Sequence, residues 1–286
     1  MIWLHLQTSI FALAGLGVAV LYTVIQPGLP AQVLMLAPLV AVLGLPHGAL
    51  DLPIAEALLP LTGWRRKALF VATYLGVAGA VIAIWLLAPG AALAMFLGYS
   101  ALHFSEDWAQ AWPPLRWSGG AATIGAPALL HHGEVEAIFA VLAPQIVAAV
   151  VADAAALVGV LALSGVVLSC LLSQQARGWA ALEQVILWIT AAALPPLMYF
   201  AVYFCALHSV RHFTATMRVI ADGRRAMAVA VTLSAMVTLI ALFVLLYGSV
   251  AQVVDLTDQI IRIVFIGLAA LTVPHMILVD RFLRTF

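Results

Sequence analysis

A chain of 286 residues that is 65% hydrophobic and 8% charged cannot cover a water-facing surface, because soluble domains carry about 25% charged side chains. Twelve basic residues balance twelve acidic ones, which removes the electrostatic case for a nucleic-acid partner. Cys170 and Cys205 lie inside apolar runs without CxxC spacing, which argues against a disulfide framework or a zinc ribbon.

A helix crosses roughly 30 Å of hydrocarbon with about 20 apolar residues, its backbone polar groups all paired internally. The opening stretch MIWLHLQTSIFALAGLGVAVLY lacks the basic start and small-residue cleavage site of a secretory leader and reads as a first span. Hydropathy and proline punctuation predict spans at 8–26, 31–60, 67–88, 91–112, 120–142, 155–174, 180–194, 196–217, 227–248 and 259–281. The pair Pro195–Pro196 divides a continuous apolar stretch, since proline lacks an amide donor and disfavours helix in the residue before it.

Basic residues in short loops gather on the cytoplasmic side. Ten spans put Arg65, Arg66, Lys67, Arg116, Arg177, Arg218, Arg224, Arg225, Arg281 and Arg284 on one face, with Arg211 and Arg262 as exceptions. Merging the segments around Pro195 would move the Arg224 cluster to the wrong side. The expected fold is all-α, a polytopic transmembrane bundle of about ten helices (range 8–10, the lower figure if 120–142 is re-entrant). It forms one domain over 1–286.

Most of the eight histidines fall far from either membrane surface. His47 follows Pro46 in GLPHGALDLP, His103 sits in YSALHFSEDW, and His208 and His212 form LHSVRH. At about 1.5 Å per residue each lies roughly 15 to 25 Å from its outer helix end. Ionisable groups at that depth are functional candidates because hydrocarbon offers them no partner. His208 and His212 are four apart, which puts both rings on one helix face, and the three host helices run in the same direction, so four imidazoles can converge on one metal ion. Such a site suits iron, zinc, copper or nickel. Asp51, Glu106 and Asp107 stand three or four residues after His47 and His103 and are candidates to orient the ligand rings. A lone membrane histidine more simply bonds a neighbouring helix.

Phe96, Tyr99, Phe104, Tyr199, Phe200, Tyr203 and Phe204 flank these segments and can wall an apolar substrate tunnel, although ordinary packing is the commoner reason for such spacing. Of His131 and His132, adjacent and so differently directed, at most one faces the site. His275 follows Pro274 at similar depth and either lines the cavity or packs as a polar group. Trp108, Trp112 and Trp117 read as interface anchors. Gly15 with Gly17, and Gly76 with Gly79, read as points of close helix approach.

PHGALD, a histidine in a later helix followed by acidic residues, and HSVRH together resemble the Brp/Blh family of membrane β-carotene 15,15′-dioxygenases found beside microbial rhodopsins. The order His47, His103, His208, His212 is similar to that family's iron-binding histidines, and the likeness spans about residues 44–213. It implies a non-haem iron(II) enzyme of the bacterial inner membrane, with basic loops cytoplasmic and one iron per chain. It also implies that O₂ and β-carotene are the substrates, membrane lipid the surroundings, two retinal molecules the product, and a rhodopsin a functional link. Four histidines leave two octahedral positions open, whereas zinc is normally closed by four ligands. The alternatives are a di-iron lipid desaturase or hydroxylase, whose histidines cluster at the membrane edge, and a haem-binding or transport protein.

Overall fold

The computed structural model describes residues 2–59, 61–251 and 255–283, the side chains of residues 2–4, 47, 219, 248–251 and 280–283 excepted. The described residues are helical with short connections, as an apolar chain in lipid requires. In chain order the helices are α1 (Ile2–Ile25), α2 (Leu29–Leu39), α3 (Leu45–Gly48), α4 (Asp51–Leu58), α5 (Gly63–Leu87), α6 (Pro89–Phe104) and α7 (Pro113–Leu130). There follow α8 (His132–Leu142), α9 (Gln145–Leu172), α10 (Trp179–Ala193), α11 (Pro196–Tyr203), α12 (Ser209–Val219), α13 (Gly223–Ala251) and α14 (Leu256–Leu283).

The expectation of about ten comparable spans is corrected. Among the described residues five helices are long and apolar enough to cross a membrane: His5–Ile25, Gly63–Leu87, Gln145–Leu172, Gly223–Tyr247 and Leu256–Val279. The stretch 31–60 is broken into α2, a π-turn at Val40–Gly44, α3 and α4, because Pro38, Pro46 and Pro53 each remove a backbone donor. The stretch 91–112 stops at Phe104 and tightens into a 3₁₀ turn at Ser105–Trp108, and 120–142 divides at His131. At Pro195 the expected turn is present: Leu194 is extended and α11 starts on Pro196.

The two π-turns, Val40–Gly44 and Phe204–His208, flank or contain the histidine motifs. Such bulges insert one residue into a helix and redirect the side chains beyond it, which is why they recur at functional sites.

The helices group into two compact units, each drawn from two stretches of chain: residues 1–36 with 89–208, and 37–88 with 209–286. In the first unit α7 is the centre. A Cβ on Gly125 would lie 2.4 Å from the backbone nitrogen of Gly159 on α9, and a Cβ on Gly120 would lie 2.3 Å from the carbonyl oxygen of Ala101 on α6. Lipid tails are as apolar as leucine, so helices associate here through van der Waals contact, which small residues maximise. Of the glycines expected to serve in this way, Gly15 does, facing Thr190, while Gly17, Gly76 and Gly79 have open space around them.

The second unit packs Leu50, Ile54 and Ala55 against Ala226, Ala230 and Leu278. Glu56 on α4 accepts ion pairs from Lys67 on α5 at 2.5 Å and Arg225 on α13 at 3.0 Å. Two basic clusters thus meet at one carboxylate, and the hydrogen bond from Lys67 holds the Glu56 carboxyl below its ordinary range.

Gly125→Ala or Gly159→Ala overpacks the α7–α9 contact and is expected to destabilise the protein by about 1–3 kcal/mol, read as a lowered melting temperature in detergent. Gly17→Ala leaves the melt unchanged. The Glu56 pairs stabilise the fold above the carboxyl's unfolded pKa, and that contribution disappears as pH falls through its lower folded value. Melts of the wild type and Glu56→Gln therefore converge in acid and separate near neutral pH.

Candidate metal centre

In the first unit, α6 carries His103 in its last turn, and the 3₁₀ turn that follows brings Asp107 back onto the same side. His208 closes the π-turn Phe204–His208 and is wholly buried. Its ring meets that of His103 edge-on, with centroids 4.8 Å apart. Phe104 abuts the His208 ring at 4.9 Å and Phe204 stacks on it at 5.6 Å. Imidazole position is thereby fixed by packing on both sides.

Asp107 fixes the proton as well. Its carboxylate lies 3.2 Å from His208 Nδ1 and accepts a hydrogen bond of 2.6 Å from the Tyr203 hydroxyl. A carboxylate only accepts, so Nδ1 of His208 donates and Nε2 is left as the metal-binding atom. The helix runs on without interruption into α12, which puts His212 one turn beyond His208 by helical rise alone. One ligand atom from each of His103, His208 and His212 lies within 4.8 Å of the others. Nitrogens held at about 2.1 Å by a single ion are about 3 Å apart at a right angle and at most about 4.2 Å apart, so the three rings would draw together to share one ion.

Asp107, a candidate to orient a ligand ring, lies on the ring of His208. Glu106, expected beside it, forms an ion pair with Arg116. His47 lies in α3, and its side chain falls outside the described residues.

In the second unit Asp51 opens α4 as a buried carboxylate. It accepts from His275 Nδ1 at 2.6 Å and from the Tyr74 hydroxyl at 2.7 Å. This carboxylate, a candidate to orient a ligand ring, is thus engaged by a histidine 224 residues away. His275 is itself buried, and its ring centroid is 6.2 Å from that of His212.

The aromatic candidates pack on one another. Tyr203 stacks with Tyr199 and Trp108, and Phe104 meets it edge-on at 5.1 Å. Tyr199, Tyr203 and Phe104 are buried, and Tyr99 is half-buried. Neither adjacent histidine needs a ligand to explain it: His131 Nε2 is 2.8 Å from the carbonyl of Ala191, and His132 Nε2 is 2.9 Å from Asp153.

Trp108 is corrected from an interface anchor to a core residue, 2% exposed, whose indole donates to Glu183 at 2.9 Å. Glu183, also accepting from the Thr8 hydroxyl at 2.5 Å, escaped the sequence reading although a carboxylate inside the span 180–194 was the available signal. Tyr74 and its bond to Asp51 left no local signal.

Residues 38–283 match the sequence model of a family described as beta-carotene 15,15′-dioxygenase. A curated beta-carotene 15,15′-dioxygenase from uncultured marine bacterium 66A03 is 32% identical over 257 residues, which cover 86% of this chain and 92% of that protein. No solved structure matches the chain.

Asp107→Asn is expected to weaken metal binding by about 10–100-fold, the usual effect of losing a carboxylate that orients a ligand histidine. Titration of the metal-free protein measures it. Glu106→Gln, acting on a carboxylate that faces Arg116, leaves the affinity within about twofold on the same reasoning.

Proposed function

From the chain's membership of the β-carotene 15,15′-dioxygenase family, we propose that it holds one iron(II) through His47, His103, His208 and His212 and uses O₂ to split the central double bond of β-carotene. It is a carotenoid-cleaving enzyme of the membrane, and its family's reaction is the cleavage of carotene to retinal. The observation that carries the iron reading is the trio His103, His208 and His212, the first two buried and the third half-buried, with Asp107 setting the tautomer of His208.

Bound iron supplies the redox chemistry that ground-state O₂ needs to react with a closed-shell alkene. The balance is simple: one C=C and one O–O bond break, two C=O bonds form, and each retinal keeps one oxygen atom. No proton is gained or lost, so no acid or base need stand over the substrate. The chain's part is to position and to exclude water. His103 and His208 are buried, and Phe104, Phe204 and Tyr203 surround His208 with apolar faces. A carotene dissolved in the bilayer approaches sideways between helices, and its midpoint falls at the depth of the histidines.

The proposed location is the bacterial inner membrane, where the charge rule puts the basic ends of α5 and α13 in the cytoplasm. Retinal released into the lipid would be available to a rhodopsin in the same membrane.

Expression in bacteria that make β-carotene is expected to bleach the orange colour and yield retinal by chromatography. Alanine at His103, His208 or His212 removes bound iron and activity together. Retained colour with folded, iron-loaded wild-type protein would reject the substrate assignment.

A further inference from the structure

We propose that Glu183 is a positioning residue for the metal centre: by holding the indole of Trp108 it keeps Tyr203 and Asp107 where they fix the proton of His208. The role presupposes the iron reading above and adds to it a residue that acts through two others.

Glu183 is the only charged residue of α10, and it is buried. A carboxylate inside a membrane span loses its solvation and is retained where protein donors replace the water and a use justifies it. One oxygen accepts from the Thr8 hydroxyl at 2.5 Å and the other from the Trp108 indole at 2.9 Å. Thr8 does not need this partner, because a helical threonine can donate to the carbonyl four residues back. Trp108 does, since its buried N–H can only donate.

The indole is confined on its other sides as well. Its plane lies within 16° of the Tyr203 ring, with centroids 6.4 Å apart. A Cβ on Gly119 of α7 would lie 2.7 Å from it, so the indole occupies the space that a side chain there would take. Phe11, three residues after Thr8 on α1, meets Tyr203 edge-on at 6.4 Å. One face of α1 therefore reaches both Glu183 and Tyr203.

Trp108 reaches Asp107 by two routes. It is the next residue in the 3₁₀ turn Ser105–Trp108, and its ring backs the tyrosine whose hydroxyl donates to Asp107 at 2.6 Å. Turning the indole thus moves the carboxylate and its tyrosine donor together. Asp107 lies 3.2 Å from His208 Nδ1, at the long end of the hydrogen-bond range. A displacement of a few tenths of an ångström breaks that bond and lets the proton settle on Nε2, the nitrogen that the metal needs free.

The His208 tautomer is read directly from the imidazole nitrogen shifts of the purified, metal-free full chain labelled at histidine, assigned through His208→Gln. Glu183→Met removes the acceptor at similar volume, a change that buried ionic sites often tolerate in stability. It is expected to bring up Nε2-protonated His208 and to weaken cobalt(II) binding about threefold to tenfold, less than direct loss at Asp107. Glu183→Gln restores a neutral acceptor and is expected to recover most of both. Thr8→Val removes the other donor and is expected to move neither. Trp108→Phe repeats the loss from the partner's side and carries the test should the methionine variant not fold. A folded Glu183→Met whose His208 stays wholly Nδ1-protonated overturns the proposal, as does cobalt(II) affinity within twofold of wild type. Equal shifts in Thr8→Val would overturn it as well, reducing Glu183 to support of the fold. His208→Ala separates these failures from that of the metal reading: if it too binds cobalt(II) like wild type, the metal reading falls and the tautomer alone decides the role of Glu183.

Discussion

A nitrogen base placed in hydrocarbon needs a partner for its N–H, and for His208 and His275 that partner is a carboxylate. The need governs the fold around it. Each such carboxylate must itself be solvated by the protein, which Tyr203 does for Asp107 and Tyr74 does for Asp51. These groups cannot be rearranged singly, because a buried charge stripped of its partner is far more costly than the pair is favourable. Helix breaks that would weaken an ordinary span are retained where they bring these groups together. The 3₁₀ turn Ser105–Trp108 returns Asp107 to His208, and the π-turn Phe204–His208 sets the phase of the ring.

Support for that turn comes from a second polar knot in the same unit. Glu183 on α10 receives the Trp108 indole and the Thr8 hydroxyl of α1. Trp108 is the residue after Asp107, so α1 and α10 hold the turn that holds the carboxylate. Close helix approach at Gly120 and Gly125 presses α6 and α9 against α7 and leaves little room for the turn to relax. Packing and polar satisfaction thus specify the same arrangement, the consistency expected of a sequence that encodes one structure.

Features carried by local sequence were legible. Apolar run length predicted α1, α5, α9, α10, α13 and α14 to within a turn or two at most ends, and His103, His208 and His212, singled out by their depth, have ligand atoms within 4.8 Å of one another. Interactions decided over long separations were not. Asp51 meets a histidine of the last helix, 224 residues on, and Asp107 turns to His208, 101 residues on; sequence proximity encodes neither meeting. Trp108 looked like an interface residue by position alone. Its burial depends on Glu183, 75 residues further on, and no periodicity encodes that meeting.

The central claim is that imidazoles gather around a single ion in the apolar interior. X-ray absorption at the iron edge of the purified, iron-loaded chain examines it most directly. The account predicts a first shell of nitrogen and oxygen dominated by several imidazoles, with their outer-ring scattering and no iron–iron vector. A two-iron vector, or a shell without imidazole, would contradict it.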